Sequence, residues 1–174
     1  MRHNGSSLPI RWLLPREFVV TDAEMIVGTV LGSCVAVCLW RDDPPIAAMC
    51  HCVLPTRVPT RQSDVMGAYV DETLRHILDE VRIPGERARR LTARVIGGAA
   101  MRLHNGGGQV WETVGAANIT AARRILAAAR VPVVRELVGG SEGRRIRFCT
   151  ATGEVTVQST APAAALQERG SRLR

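Results

Sequence analysis

The chain has 174 residues, 46% of them apolar and only 3% aromatic, with a formal net charge of +7. That length suits one domain whose core is built from Val, Ile, Leu and Ala, and no window of about 18 uninterrupted apolar residues offers a membrane span. All 23 basic residues are Arg and they are dispersed; with few aromatics to stack bases, nucleic acid is not the expected partner, and an acidic protein fits the charge at least as well.

The start, Met1 to Val20, carries Arg2, Arg11 and Arg16 and lacks the continuous apolar stretch of a secretory signal, so the cytoplasm is the expected compartment. Residues 1–16, with Gly5-Ser6-Ser7 and two prolines, read as a loose arm. Phe18 to Thr21 and Met25 to Val30 read as short strands, followed by a strand pair, Val35 to Trp40 and Ile46 to Met49, turning at Pro44-Pro45. Thr56 to Asp64 is a polar loop placed to contact a substrate. Apolar residues at Val70, Leu74, Ile77, Leu78 and Val81 mark a helix over Met66 to Val81, ending before Pro84-Gly85. Leu91 to Ile96 reads as a strand entering Gly97-Gly98, and Asn105-Gly106-Gly107-Gly108 as a turn. A second helix is expected over Ala117 to Arg130, then strands over Val131 to Val138, Arg144 to Cys149 and Val155 to Gln158. Residues 159–174 read as a disordered tail. Several strands, two helices and no regular alternation predict one α+β domain over 17–158, a layered sandwich of mixed β-sheet with flanking helices.

Five cysteines, Cys34, Cys38, Cys50, Cys52 and Cys149, are an odd number for a disulfide framework. Cys50-His51-Cys52 offers three metal ligands, but on a strand His51 points away from its two neighbours. That spacing also differs from a zinc knuckle, so no metal is expected and the ordinary fate of these thiols is burial. Gly97-Gly98 lacks the third glycine of a dinucleotide loop.

Seventeen residues on from Cys34, which follows the small-residue turn Gly32-Ser33, stands His51. Folding the strand pair back on itself brings these two ends together, a thiol beside an imidazole. A cysteine nucleophile of this kind calls for an accessible sulfur of lowered pKa. Free amides around Gly32 and Ser33 would stabilise an oxyanion formed by attack at a carbonyl.

Leu31-Gly32-Ser33-Cys34-Val35-Ala36-Val37-Cys38-Leu39-Trp40, with Ala48-Met49-Cys50-His51-Cys52-Val53-Leu54-Pro55, resembles the CheD family of chemoreceptor glutamine deamidases. Tyr69-Val70-Asp71, Ile96-Gly97-Gly98-Ala99-Ala100-Met101, Gly115 with Asn118, Gly139-Gly140, Gly143-Arg144, Phe148 and Thr152-Gly153 continue the likeness in order, over about residues 17–158. The resemblance implies a protein-glutamine glutaminase that turns glutamines of methyl-accepting chemotaxis receptors into glutamate and ammonia without a cofactor. Cys34 would be the nucleophile and His51 the base, with backbone near Gly32 and Ser33 holding the oxyanion. It also implies a CheC-type phosphatase as a second partner, and an adaptor with a degenerate site as the alternative to an enzyme. Three positions depart from the family. Gly28 stands where a third catalytic side chain, a Thr, is usual. Thr29, one residue on, would face the other side of the strand and serve only in a different register. Leu137 stands where an acid is usual, and Ala117 where an Arg precedes Asn118.

Overall fold

The computed structural model describes residues 7–57, 65–82, 91–100 and 112–160. Its elements in chain order are β1 (Ile10–Trp12), β2 (Phe18–Thr21), β3 (Ile26–Leu31), β4 (Val35–Asp42), β5 (Pro45–Cys52), α1 (Val70–Val81), β6 (Thr92–Gly97), α2 (Glu112–Ala128), β7 (Val133–Val138), β8 (Arg144–Cys149) and β9 (Val155–Ser159). Two mixed sheets form, one in the order β1-β3-β8-β9 and one in the order β2-β5-β4-β6-β7. The α+β layered reading holds.

β4 lies at the centre of the five-stranded sheet, and Val35 to Leu39 are buried on both faces. That explains its unbroken apolar run, since a strand covered on both sides has no polar alternation. One face, with Val35, Val37, Leu39, Cys50 and Cys52, packs under Val70, Leu74 and Ile77 of α1 and Ala122, Ile125 and Leu126 of α2. The other, with Ala36, Cys38, Ala47 and Met49, packs against Val27, Leu31, Ile146 and Phe148 of the four-stranded sheet. The layers are therefore sheet, sheet, helices. Each Val, Leu, Ile, Phe or Met among these contributes about 1.5–3 kcal/mol when fully buried. No helix among the described residues is long and apolar enough to cross a membrane.

The 1–16 segment is not wholly a loose arm. Ile10–Trp12 pairs in parallel with β3, Ile10 opposite Ile26 and Trp12 opposite Gly28, and Leu13 is buried. The first helix starts at Val70 rather than Met66, because the chain at Ala68 is still bonded to the strand ends through Val53 N–H and Leu54 N–H. The second starts at Glu112, five residues early, with Gly115 inside it. Ser159, assigned to the tail, closes β9 against Arg144. The Asn105–Gly108 turn, the Pro84-Gly85 stop, residues 58–64 of the polar loop and the tail from 161 lie outside the described residues.

Candidate active site

β4 and β5 run antiparallel with Val35 opposite Cys52, Ala36 opposite His51 and Cys38 opposite Met49. Ala36, Cys38 and Met49 all face the space between the sheets, so His51 does too. Cys34, one step before β4 and two before Ala36, shares that side and stands diagonal to His51. Diagonal neighbours of this kind lie about 7–8 Å apart. Cys50 and Cys52 point to the helices instead, so the three potential ligands diverge. Among the described residues no group of three His, Cys, Asp or Glu side chains could hold a metal.

His51 is 2% exposed. Its Nδ1 lies 2.7 Å from Thr29 Oγ1, and Thr29 Oγ1 donates to the Leu13 carbonyl at 2.8 Å. A hydroxyl has one proton, and a carbonyl only accepts. With that proton committed to Leu13, Thr29 must accept from Nδ1–H, which leaves Nε2 as the bare, basic nitrogen. Nε2 is buried and has no hydrogen-bond partner among the described residues, the Cys34 thiol included. An unpaired buried acceptor costs about 1–3 kcal/mol, so the site carries an unmet demand for a proton donor.

The strand register expected of Thr29 is thereby corrected. Thr29 turns inward, and the neighbouring Gly28 turns outward under the Trp12 ring. The hydroxyl that touches His51 is therefore at position 29, while position 28 carries no side chain. The Leu13–Glu17 stretch also clamps β5 at His51, through Arg16 N–H to His51 O at 2.8 Å and His51 N–H to Glu17 O at 2.9 Å.

The turn before Cys34 is held by its carbonyls. Gly98 N–H donates to Cys34 O at 2.8 Å and Ala99 N–H to Gly32 O at 2.9 Å. Asn118 Nδ2 of α2 reaches Ser33 O at 3.1 Å and Val53 O at 3.2 Å. Gly97, at φ +114°, sits so close that a Cβ there would collide with Cys34 O; only glycine combines that dihedral with that approach. With the carbonyls occupied, the Ser33 and Cys34 amides donate to no other described residue, and the Cys34 amide lies against its own sulfur. Amides without an acceptor beside a thiol are the kind of donors that an oxyanion requires. Asn118 is fully buried, and its motif with Gly115 at the start of the second helix gives no sign of this bridge.

Electrostatics set the resting state. Burial pushes the half-buried Cys34 thiol above its ordinary value of 9.0, only partly offset by its own amide. Burial also lowers His51 below 6.5, offset in part by the Leu13 carbonyl and the Glu17 charge. At neutral pH the pair is thiol and imidazole, both uncharged. The expectation of a lowered thiol pKa is corrected: in a dry site the uncharged forms win unless the ions touch. Beyond β5, Arg57 pairs with Glu72 through Nε at 2.7 Å and Nη2 at 2.9 Å, and lies over the Tyr69 ring at 4.9 Å. Thr56 Oγ1 donates to Asp71 Oδ2 at 2.8 Å. The described start of the polar loop is thus fastened to α1. Leu137 packs against the inter-sheet core.

A family model described as CheD chemotactic sensory transduction matches residues 53–159. The chain is 37% identical over 151 residues to a probable chemoreceptor glutamine deamidase CheD of Paraburkholderia xenovorans, covering 84% of the chain and 58% of that protein. It is 31% identical to a probable chemoreceptor glutamine deamidase CheD 1 of Chromobacterium violaceum, covering 94% and 84%. A probable chemoreceptor glutamine deamidase CheD 2 of Geobacter sulfurreducens is 35% identical, covering 87% and 90%.

Proposed function

The chain belongs to the CheD family, and we propose that it is a protein-glutamine glutaminase acting on chemoreceptors. The observation that carries this reading is the Leu13–Thr29–His51 chain, which leaves Nε2 unprotonated on the side of the sheet that Cys34 shares. Such a nitrogen serves as a general base for a neutral thiol.

In this mechanism a glutamine carboxamide enters beside Cys34. His51 Nε2 takes the thiol proton as sulfur attacks the carboxamide carbon, and the carbonyl oxygen, now anionic, is held by the Ser33 and Cys34 amides. The tetrahedral intermediate collapses, the carbon–nitrogen bond breaks, and Nε2–H supplies the proton that lets ammonia leave. Water then attacks the thioester while His51 accepts its proton. Carbon–sulfur cleavage returns that proton to Cys34 and releases glutamate. Thr29 keeps the imidazole in one tautomer and one orientation throughout, and stabilises the imidazolium through Nδ1–H.

The names of the relatives support chemoreceptors as substrates. A CheC-type phosphatase as a second partner and a cytoplasmic location rest on the sequence resemblance. The complete hydrogen-bond chain at His51 favours an enzyme over an adaptor with a degenerate site. Ammonia release from the cytoplasmic fragment of a chemoreceptor tests the proposal. The wild-type protein releases it and the Cys34→Ala protein does not; release by neither, with both folded and bound to the fragment, would leave the adaptor.

A further inference from the structure

Beyond its role in positioning His51, the β1–β3 pair presents an outer face whose composition is unusual for a solvated sheet. Inward residues alternate with outward ones along both strands. Leu13 and Thr29 turn in, while Trp12 and Val30 turn out. Leu13 N–H donates to Gly28 O at 2.8 Å, which continues the parallel pairing one residue beyond β1, and Leu14 follows it. Ile10, Trp12, Leu14 and Val30 are 52%, 45%, 65% and 48% exposed. They are four of the eight large apolar side chains that stand exposed among the described residues.

The strip is built, and not a scatter of stray side chains. A Cβ on Gly28 would stand 2.8 Å from two carbons of the Trp12 ring, so the bare Cα is the seat on which the ring lies. Arg147, opposite Gly28 in β8, brings its guanidinium to 5.9 Å from the ring centre. Arg145, opposite Val30, projects from the same face. Neither arginine has a carboxylate partner among the described residues. An exposed apolar strip with cations along one flank selects for a segment that brings apolar side chains and carboxylates together.

We propose that this face is the docking surface for the glutamine-bearing substrate, which lies along it as an acidic, partly apolar segment. The inference rests on the deamidase reading and adds where the substrate is held. Continuity with the site supports it: past Val30 only Leu31, Gly32 and Ser33 intervene before Cys34, so a chain following the strip runs toward the thiol. Charge rules against a second copy as occupant. Two molecules of net charge +7 would set Arg145 and Arg147 against their own counterparts.

The test uses the full chain with Cys34→Ala, which binds without turning over, and the cytoplasmic fragment of a chemoreceptor. Adding Arg145→Glu and Arg147→Glu weakens binding tenfold or more, and Leu14→Asp does so alone, with melting temperatures within a few degrees of the parent. In the Cys34 background the same changes raise KM for that fragment. Binding also weakens as salt rises, since exposed charges are screened within about 10 Å at 0.1 M. Unchanged affinity in both variants overturns the surface while leaving the deamidase reading standing. Fragment binding that the variants abolish, with no ammonia released by the wild type, does the reverse. Loss of self-association or of binding to anionic vesicles, without loss of fragment binding, assigns the strip to another occupant and also overturns the proposal.

Discussion

Thr29 and His51 meet across the two sheets, Oγ1 to Nδ1 at 2.7 Å, although 22 residues separate them in the chain. The contact decides which imidazole nitrogen is free, because the Thr29 proton is already given to Leu13. Thr29→Val keeps the shape and removes both bonds. It leaves Nδ1–H and the Leu13 carbonyl without a partner, at about 1–3 kcal/mol for each buried group. Deamidation should fall about 10²-fold, within the range that a positioned proton-transfer group supplies. Thr29→Ser should retain most of it. Equal rates for Val and wild type would remove Thr29 from the mechanism.

The pH profile follows from two uncharged groups. His51 is held below 6.5 by burial, so between 6.5 and its folded value the unfolded chain binds a proton that the native state refuses. Stability is therefore full above 6.5 and is lost as pH falls through that window. Cys34 is raised above 9.0, so the native state holds a proton that the unfolded chain gives up, and stability declines again as pH climbs past 9.0. Activity should have its acidic limb below 6.5, where Nε2 becomes protonated. The rate against pH for wild type and the melting temperature against pH for wild type and His51→Gln check both statements. His51→Gln should abolish the acid-side contribution to the melting profile.

Thiol reactivity offers an independent check. Cys38, Cys50 and Cys52 are buried with no exposed surface, whereas Cys34 and Cys149 are half-buried. Brief iodoacetamide treatment should label Cys34 with a rate that rises with pH to beyond 9.0, the ordinary thiol value. His51→Ala should slow that labelling at neutral pH by removing the proton acceptor. Labelling of Cys50 or Cys52 ahead of Cys34 would contradict the burial seen here.

Much of this arrangement is legible in the sequence. The Pro44-Pro45 turn between apolar runs predicts β4 and β5, and strand alternation turns His51 away from Cys50 and Cys52. Gly32-Ser33-Cys34 and His51-Cys52-Val53-Leu54-Pro55 mark the site. What escapes is tertiary. Ile10–Trp12 is three exposed residues, too short a run to announce itself, and it becomes a strand only because β3 offers an open edge. The inward turn of Thr29 depends on where β3 pairs with β8, Gly28 opposite Arg147 and Thr29 opposite Ile146; a one-residue slip reverses every side chain. Leu13 carries no polar side chain, so its carbonyl gives no signal at all.

Asn118 is the other residue whose role only the fold shows, bridging carbonyls 85 and 65 residues away. Asn118→Leu leaves Ser33 O and Val53 O without that donor, at about 1–3 kcal/mol for each. The melting temperature should drop on the order of 5–15 °C. Turnover should fall below what that stability loss explains when measured well under the melting point, since the Cys34 turn loses its anchor. A destabilised protein with unchanged kcat would make Asn118 a packing residue only.

The proposed mechanism passes through a covalent thioester between Cys34 and the substrate glutamyl carbon, so trapping that species is the most direct measurement. Wild-type protein is mixed with a chemoreceptor cytoplasmic fragment, quenched in acid within the first turnover, digested and mapped by mass. The expected result is a glutamyl thioester on the Cys34 peptide, shortened in lifetime by hydroxylamine and missing from Cys34→Ala, whose glutamines stay unconverted. Glutamate formation by Cys34→Ala at the wild-type rate, or a thioester found on another cysteine, would contradict it.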